Sequence, residues 1–529
     1  MGILKYAGNY IRLLSKRKLF TGVNLFGLVL GLLVFMVMFL TVKEELGYDS
    51  YHANSKNICK VLVDKDLEQN YQSYVHGALA AALEEQFPEI INYARYAPVW
   101  PIDKNSVKNG ELNYICSGSA VDSSFFNIFS FHFLEGEPST AFQNPNSIIL
   151  TRNTAQILFG DEPCLGKQVK FEIFGRWVDV VISAIIQDIP YNSSIQADFF
   201  ITTVSMERFR RSFSSWDDIS TMAYIQIHEN VSIADLDKKV RGFIKEQRPE
   251  SRYTVHLHPL EKIHLHNYGG GGDIIYVYIY IIIGLFTLII AVINYVNLSI
   301  TNYSTRNKEI RIKKINGCSN RQIKVQFNIE SVVLTAVAMV LAIASLLLLI
   351  PLINQSFDKH ISLSFSLDIV LSAIILIITI GLLAGFYPSY TASRTKPLAR
   401  ENPMVKIGSK KITLRSIMVL MQFLVSIVLI TSAIIINCQL RYILKKDLGY
   451  ISNDIINVEM NASLKKSYKT IREELLKSPS VLNVSAANTS FVSTEKSTGD
   501  AVWKGKQDGD RIFIELHPVD YDYLETMNM

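Results

Sequence analysis

Cysteine is scarce in this sequence, and the few cysteines are far apart. The 529 residues contain five of them, with no C-x-x-C pair. Such spacing suits neither a zinc site nor a dense disulfide scaffold, so we expect free thiols. A Cys116–Cys164 bridge outside the cell is the alternative that the sequence leaves open.

Charged residues are also few, at 19% of the chain against 49% hydrophobic residues. The formal net charge is +5, and the basic residues cluster beside apolar runs. This pattern is typical of orientation in a membrane, and it predicts membrane lipid rather than nucleic acid as a partner.

Signatures of nucleotide binding and catalysis are missing as well. The stretch "GDEPCLGKQ" has Asp161 where a phosphate loop requires glycine, and Gln168 where it requires serine or threonine. No nucleophile can be paired with a base, which predicts a non-catalytic chain. We expect no metal either, although zinc is the alternative for a cluster of alternating histidines, His256, His258, His264 and His266.

Long hydrophobic runs, by contrast, are plentiful. The first follows a basic triplet but is too long for a signal peptide, and no A-x-A site comes after it, so we interpret it as an uncleaved anchor. A membrane crossing requires roughly 20 apolar residues. The crossings predicted on that criterion are residues 19–42, 274–300, 328–353, 366–388 and 413–436.

Few polar residues interrupt these runs. Glu330 and Asp368 stand near segment ends, where we expect them to be exposed at the membrane surface. Asn294, Asn297 and Gln422 are expected to hydrogen-bond between helices.

The basic residues predict an orientation, because lysine and arginine accumulate in cytoplasmic loops. They gather in an amphipathic segment at 1–18, in 301–327 and in 389–412, whereas the connection near 354–365 has only Lys359 and His360. The N-terminus is therefore predicted to be cytoplasmic, with two segments outside, 43–273 and 437–529.

The outer segment at 43–273 is long enough for a domain. It mixes stretches of helical character, "ALAAALEEQF" (78–87) and "NTAQILFG" (153–160), with runs of strand character, "RWVDVVISAII" (176–186) and "AYIQIH" (223–228). We predict an α+β domain inserted between the first two crossings.

A long-range repeat relates the two outer segments. "KEELGYDS" (43–50) resembles "KKDLGYIS" (445–452), Asn92 matches Asn483 at an offset of 391, and "VDSSFFNIF" resembles "VDYDYLETM" at an offset of 398. The repeat predicts a duplicated unit with a partial second outer domain, and hence a truncated or fragmentary form of a longer protein.

The basic stretch at 304–327 has seven lysines and arginines in 24 residues, with isoleucine recurring between them. Three interpretations compete for it: an orientation signal, a helix lying on anionic lipid, and a docking helix for a cytoplasmic partner. Charge and periodicity alone do not decide between them.

Several stretches form an ordered set of motifs: "NYIRLLSKRKLFTGVNLFGLVLG" (9–31), "ILFGDEPCLGKQV" (157–169), "INYVNLSI" (293–300), "KEIRIKKINGCSNRQI" (308–323) and "GFYPSYTASRTKP" (385–397). In these motifs the chain resembles the FtsX-like and MacB-like permeases of ABC transporters, in the form with two outer domains. The resemblance implies an α-helical transmembrane bundle with an inserted α+β extracytoplasmic domain, a MacB-like periplasmic core, and a partial second copy.

The resemblance also implies a role for the basic stretch, as the coupling helix that fits a groove on an ATPase subunit. Apolar contacts would come from Ile310 and Ile315, and Gly317 would end the helix. The remaining contacts would be electrostatic, from Glu309, Arg311, Lys313, Lys314 and Arg321.

Function follows from the same resemblance. It implies a non-catalytic permease subunit of the cell inner membrane, with no cofactor of its own. A separate ABC ATPase would bind ATP and magnesium, and its closure would move the outer domains through the stalks after residues 42 and 436. This is mechanotransmission, which would export or release a substrate that the sequence does not identify.

Further partners are implied as well: a periplasmic membrane-fusion protein, an outer-membrane channel, and a second permease half in a homodimer or pseudo-dimer. Two other functions remain open on the sequence. One is a membrane regulator or sensor that controls an outer-surface hydrolase or a peptide response. The other is an ATPase-independent, membrane-anchored binding protein.

Reporter fusions test the predicted orientation. A fusion after Lys410 should be cytoplasmic, whereas fusions at Gly110 and Ser467 should be outside, because the basic clusters flank the other ends of the crossings. Compartment-specific reporter activity measures each location. Activity of the Lys410 fusion on the outside would contradict the five-crossing arrangement.

Overall fold

The computed structural model describes residues 18–65, 71–99, 105–173, 176–207, 213–266, 274–305, 307–357, 359–363, 366–393, 414–446, 449–450, 454–458, 460, 462–487, 497–498, 503, 514–515 and 517–529. The predicted cytoplasmic segments 1–18 and 389–412 lie mostly outside these residues. The chain divides into two compact units. The first comprises Met1–Pro98, Gly118–Lys167 and Val181–Ser432, and the second comprises Val99–Ser117, Gln168–Val180 and Ala433–Met529.

The helices in the described residues are α1 (Lys18–Leu46), α2 (Leu79–Gln86), α3 (Phe125–Ile128), α4 (Arg152–Phe159), α5 (Thr203–Glu207), α6 (Ile233–Val240), α7 (Phe243–Gln247), α8 (Leu260–Ile263), α9 (Ile274–Thr305), α10 (Asn307–Ile315), α11 (Asn320–Phe357), α12 (Leu367–Ser393), α13 (Leu414–Lys445), α14 (Ala462–Lys466), α15 (Tyr468–Leu475) and α16 (Tyr523–Met527).

The strands are β1 (Ile58–Lys65), β2 (Tyr71–Gln72), β3 (Val75–His76), β4 (Ile90–Pro98), β5 (Asn105–Asn109), β6 (Leu112–Cys116), β7 (Gly118–Val121), β8 (Phe133–Glu135), β9 (Ser147–Thr151), β10 (Gln168–Ile173), β11 (Arg176–Ile186), β12 (Phe199–Thr202), β13 (Ile219–Ile227), β14 (Tyr253–Pro259), β15 (Ser497–Thr498) and β16 (Ile514–Glu515).

Long helices occupy the predicted crossings: α1, α9, α11, α12 and α13. Each contains an apolar stretch long enough to span a bilayer. Tyr276 and Tyr278 at the start of α9 are exposed, as is typical of tyrosines at a membrane–water boundary. Helix α11 already begins at Asn320, before the predicted crossing at 328, because the end of the basic stretch continues into it.

Glycine brings these helices close together. A Cβ atom added at Gly31 of α1 would lie 2.2 Å from the Cβ atom of Ala291 in α9. One added at Gly381 of α12 would lie 2.7 Å from the backbone of Val332 in α11. Because small residues let helix backbones approach each other, α1 packs tightly on α9 and α12 packs tightly on α11.

The first unit also contains the predicted α+β domain, which we call the sheet domain. Its strand order is β14-β1-β13-β4-β7-β12-β9-β11, with β2 beside β1, β3 beside β13 and β8 beside β11. The sheet is mixed, because β12 runs parallel to β7 and β11 parallel to β9. Helices α2 and α4 and strands β11 and β13 lie where the sequence predicted helices and strands.

Alternation along β1 divides its side chains between two cores. Cys59, Val61 and Val63 pack in the apolar cluster that α2, α6 and α7 cover. Ile58 packs on the other side, with the phenylalanines of α3. Lys60 also points to that side and is only 3% exposed. Burial lowers the pKa of Lys60 to about 8.

The second unit has its own strand pairings. Strands β5 and β6 form an antiparallel hairpin, and β10 pairs with β5. Three of its other contacts reproduce contacts of the first unit at the repeat offsets of 391 and 398. The strand pairing of Tyr96 with Val121 corresponds to that of Ala487 with Val519. The backbone hydrogen bond from Asp122 N to Arg95 O corresponds to the one from Asp520 N to Ala486 O, and the bond from Phe125 N to Asp122 O corresponds to the one from Tyr523 N to Asp520 O. These contacts support the repeat, and a second outer domain stays a prediction.

Two alanine substitutions on one helix test the close contact. Gly31→Ala should destabilise the bundle, since overpacking a tight contact costs about 1–3 kcal/mol. Gly22→Ala is the matched control, because nothing lies within 4 Å of a Cβ atom added there. Unfolding of the two variants in detergent measures the difference. Equal stability would contradict the tight α1–α9 contact.

Candidate functional site at the two ends of the helix bundle

One end of the bundle carries the basic stretch, which folds as a short helix and a tight turn. Helix α10 stops before Gly317, whose φ of +86° lies in the left-handed region that suits glycine. The amide of Cys318 donates to Lys313 O at 3.0 Å, and that of Gly317 donates to Lys314 O at 3.1 Å. These two bonds form a Schellman motif, so Gly317 ends α10 as its position in the sequence predicts.

The next helix begins directly after this turn, through a capping box. The amide of Gln322 donates to Ser319 Oγ at 3.3 Å, and the amide of Ser319 donates to Gln322 Oε1 at 2.8 Å. Reciprocal caps of this kind satisfy the free amides at the start of a helix. The corner between α10 and α11 is therefore a fixed turn.

The isoleucines of α10, two of which were predicted to contact the ATPase, face in different directions. Ile310 is 3% exposed and packs with Ile323 and Phe327 of α11. Ile312 and Ile315 are 59% and 67% exposed. Helical positions five apart differ in direction by about 140°, so Ile310 and Ile315 point to different sides of α10. Ile310 instead fastens α10 to α11.

The charged residues of α10 are held partly by the chain itself. Lys313 Nζ donates to Glu309 Oε1 at 2.9 Å, one helical turn away. Lys314 Nζ donates at 2.6 Å to a backbone carbonyl at the C-terminal end of α12, where a cation is favoured. Arg311 is half-buried and Arg321 is exposed. Lys314 thus ties α10 to the end of α12, whereas Arg321 is exposed.

At the opposite end of the bundle, three chain segments meet on one carboxylate. Glu45, in the last turn of α1, accepts a hydrogen bond from Lys359 Nζ at 2.7 Å, and its other oxygen lies 2.8 Å from His264 Nε2. Lys359 belongs to the loop between α11 and α12, and His264 follows α8. Tyr48 stacks on His264, with ring centroids 3.5 Å apart. We call these four residues the Glu45 joint.

The Glu45 joint is shielded from solvent. The side chains of Glu45 and His264 are each 14% exposed, and that of Lys359 is 33% exposed. Burial is the largest single effect and by itself lowers the pKa of Lys359, but the hydrogen bond to Glu45 and the charges of Glu45 and Glu44 together offset it, so the pKa is raised. Lys359 therefore stays charged at neutral pH and donates a charge-assisted hydrogen bond.

The loop that supplies Lys359 is itself braced. Asn354 Nδ2 donates to Ile361 O, and the amide of Ile361 donates back to Asn354 Oδ1, both at 3.0 Å. His360 stacks on Tyr191 of the sheet domain, with ring centroids 4.7 Å apart. This loop therefore contacts the sheet domain as well as α1.

The chain leaves α1 through a turn that is bonded to the sheet domain. Asp49 has a φ of +56° and is fully buried. Its Oδ1 accepts from the amide of Ser194 at 2.8 Å, and its own amide donates to Asn192 O at 2.9 Å. Burial raises the pKa of Asp49 and lowers that of His52 to about 4. A bonded turn, and not a flexible linker, joins α1 to the sheet domain.

The sequence pointed to the stalk after residue 42 and missed the contribution of the loop between α11 and α12. Lys359 and His360 were visible only as two cationic residues in a short connection. Glu45, the hydrogen-bond partner of Lys359, stands more than 300 residues earlier in the sequence. To pair Lys359 with Glu45 from the sequence, one would have to match opposite charges at the ends of different predicted crossings.

The histidines and cysteines that the sequence offered for a zinc site and a disulfide make other contacts in the structure. His264 belongs to the Glu45 joint, and His256 Nδ1 lies 3.6 Å from Asp237 Oδ1. No group of three or more metal-binding side chains occurs in the part of the chain that the structure describes. Cys116 and Cys164 are buried, and neither belongs to a disulfide in the described part of the chain.

Comparison with known proteins gives two family matches. A model of the MacB-like periplasmic core domain matches residues 21–243, and a model of the FtsX-like permease C-terminal domain matches residues 281–397. The first covers α1 and most of the sheet domain. The second covers most of α9 and all of α10, α11 and α12.

Relatives and solved structures carry the same names. The chain is 33% identical over 106 residues to the macrolide export ATP-binding/permease protein MacB 1 of Aeromonas hydrophila, which is 20% of this chain and 16% of that protein. It is 21% identical over 406 residues to the protein of that name from Yersinia pestis, 74% of this chain and 60% of that one. The periplasmic region of MacB from Actinobacillus actinomycetemcomitans is 11% identical, with a TM-score of 0.31 over 41% of this chain and 95% of that chain. The chain spans 60% or less of the length of these two curated relatives.

A double-mutant cycle tests the Glu45 joint. Glu45→Gln and Lys359→Met should each destabilise the protein, and the double variant should lose less than their sum, with a coupling of about 1 kcal/mol. Free energies of unfolding in detergent give the coupling. The matched control is Glu162→Gln with Lys167→Met, an ion pair whose side chains are 76% and 43% exposed and whose coupling should be near zero. Equal coupling in the two cycles would contradict a shielded joint.

Proposed function

The chain belongs to the family of FtsX-like permeases with a MacB-like periplasmic core domain, and from this premise we propose that it couples ATP hydrolysis on another chain to movement of its sheet domain. It is the permease subunit of an ABC transporter in this proposal. The names of its relatives join an ATP-binding and a permease function. The proposal assigns the ATP-binding function to a partner chain.

One observation carries the proposal. Helix α11 is one helix of 38 residues, with Pro351 in its last two turns, and it runs from the corner beside α10 to the loop that holds Lys359. At 1.5 Å per residue this is about 57 Å. Its first end is fastened to α10 by Ile310, and the loop after its last turn is bonded to Glu45 and stacked on the sheet domain. A displacement of α10 is thus passed to the far end of the bundle by a continuous helix.

The proposal assigns a side of the membrane to each end. The α10 corner faces the cytoplasm and the ATPase, and the sheet domain lies on the outer side of the inner membrane. Closure of the ATPase moves α10 and, through α11, the Glu45 joint. Two global states that differ in contacts at both ends are what such coupling requires. A periplasmic membrane-fusion protein, an outer-membrane channel and a second permease half complete the proposed assembly.

Substitution of the exposed isoleucines tests the coupling. Ile312→Asp with Ile315→Asp should abolish association with the ATPase, because a carboxylate buried without a partner in the interface is costly. Ile157→Asp is the matched control, an exposed isoleucine of the sheet domain that is 42% exposed. The tagged full chain is purified from its native membrane, and magnesium-dependent ATP hydrolysis is measured in the eluate.

We expect ATP hydrolysis in the preparations of the wild-type chain and of Ile157→Asp. The double variant should lose at least about 90% of this activity, which corresponds to an interface hot spot that contributes more than about 1.4 kcal/mol to binding. Membrane levels of the three proteins should be equal. Absence of ATP hydrolysis from the wild-type preparation would overturn the proposed function. Full activity of the double variant would overturn the role of α10 as the docking helix.

A further inference from the structure

A chain of hydrogen bonds runs from α10 into the interior of the bundle. Lys313 Nζ donates to Glu309 Oε1 at 2.9 Å and to Gln326 Oε1 at 3.1 Å. Gln326 Nε2 then donates to Glu330 Oε1 at 2.8 Å. Gln326 and Glu330 stand one turn apart on α11, so a single amide side chain connects a lysine of the short helix to a carboxylate in the long one.

The orientation of the Gln326 amide follows from its neighbours. A lysine ammonium has only donors, so the amide must turn its oxygen toward Lys313. Its nitrogen is then left for Glu330, which as a carboxylate has only acceptors. Both hydrogen bonds involve a charged group, and such bonds are about twice as strong as neutral ones.

Glu330 is buried, which corrects the expectation that it is exposed at the membrane surface. It is 6% exposed and stands ten residues into α11. The next residue, Ser331, accepts a hydrogen bond from Tyr295 of α9 at 3.0 Å. A Cβ atom added at Gly385 of α12 would lie 2.9 Å from Ser331 Oγ. The hydrogen-bond chain therefore ends where α11 is packed against both α9 and α12.

We propose that Lys313, Gln326 and Glu330 form a positioning relay, which transmits the position of α10 to the level of the bundle where three helices meet. The relay rests on the proposed function, because it gives the coupling helix its rigid connection to the membrane segments. Ile310 supplies the apolar part of that connection and resists separation of α10 from α11. The relay also resists rotation and sliding of α10 against α11, since hydrogen bonds weaken steeply when donor and acceptor are misaligned.

Glutamine is the residue that this arrangement requires at position 326. A glutamate there accepts from Lys313 but cannot donate to Glu330, and it places two carboxylates on one face of α11. An asparagine is one methylene shorter. A methionine has a similar length and keeps the helix propensity, but it makes neither bond. Methionine therefore removes the relay with the least change in packing.

The test compares the same substitution at two glutamines of α11. Gln326→Met should lower kcat for ATP hydrolysis by the co-purified ATPase at least about tenfold, because it removes both hydrogen bonds of the amide and the loss of one hydrogen bond to a charged group already corresponds to about that factor. The KM for ATP and the amount of ATPase retained should not change, because the docking surface of α10 is intact. Gln355→Met is the control, since Gln355 is exposed at the other end of α11. The ATPase that co-purifies with this variant should have the kcat seen with the wild-type chain.

A transposed pair separates the relay from a merely structural role. Gln326→Glu alone should lower kcat as Gln326→Met does. In the double variant Gln326→Glu, Glu330→Gln, the carboxylate stands at position 326, where it accepts from both Lys313 and the amide at position 330. Both hydrogen bonds are restored and kcat should recover. Glu330→Gln alone keeps an oxygen acceptor for Gln326 Nε2 and should stay within about twofold of wild type, less than the effect of a lost hydrogen bond.

Each outcome has one meaning. A wild-type kcat with Gln326→Met, or no recovery of kcat in the double variant, would overturn the relay. The proposed function would not be affected by either result, provided that the wild-type preparation hydrolyses ATP. A loss of retained ATPase in Gln326→Met equal to its loss of activity would also overturn the relay, since the residue would then serve docking. A wild-type chain that retains no ATPase would overturn the proposed function and the relay together.

Discussion

The connection between the membrane helices and the sheet domain depends on the hydrogen bonds that the carboxylate of Glu45 accepts. This carboxylate accepts charge-assisted hydrogen bonds from His264, which stands before α9, and from Lys359, which stands between α11 and α12. Glu45 therefore joins the ends of three membrane segments. A carboxylate that is mostly shielded from water needs such partners, because an unpaired buried charge is far more costly than a paired one. The stacked Tyr48 and the braced loop around Asn354 hold the partners in place. The sheet domain is therefore attached by several bonded contacts, and not by the two chain connections alone.

The other end of the bundle is built on a different principle. There a Schellman motif and a capping box define the corner between α10 and α11, and Ile310 closes it with apolar contacts. This leaves Ile312 and Ile315 exposed beside a basic surface, which is the composition expected of a contact that forms with another protein and not of a helix core. An internal face that fastens α10 and an external face that receives a partner are both necessary if movement is to be transmitted. A helix that was loosely attached would move without moving the bundle.

Between the two ends, rigidity comes from close helix packing. Gly31 and Gly381 allow backbone contacts that a larger side chain would prevent, and α11 is continuous across the whole distance. Lipid supplies little driving force for helices to associate, so small residues and buried polar groups take a larger share of that task than in water. The hydrogen bond between Tyr295 and Ser331 and the buried Glu330 belong to this second class. They lie in the half of the bundle that carries α10.

The linear order of residues was enough to locate the long apolar helices, the α+β character of the sheet domain and the end of α10 at Gly317. These features are local, so apolar run length, alternation and turn chemistry reveal them. Ile310, Glu330 and Lys359 were misjudged or passed over for the opposite reason. Whether Ile310 faces a partner or the chain depends on the angle at which α10 returns to α11, and a rotation of α10 by half a turn reverses the answer. Whether Glu330 is exposed depends on which neighbours cover it, and Lys359 finds Glu45 only because distant segments end at the same level of the bundle. Periodicity along the chain thus determined which segments become helices and strands. Only the packing of those segments decided which side chains are buried, paired or open to a partner, because burial and charge pairing are properties of positions in space and not of positions in the chain.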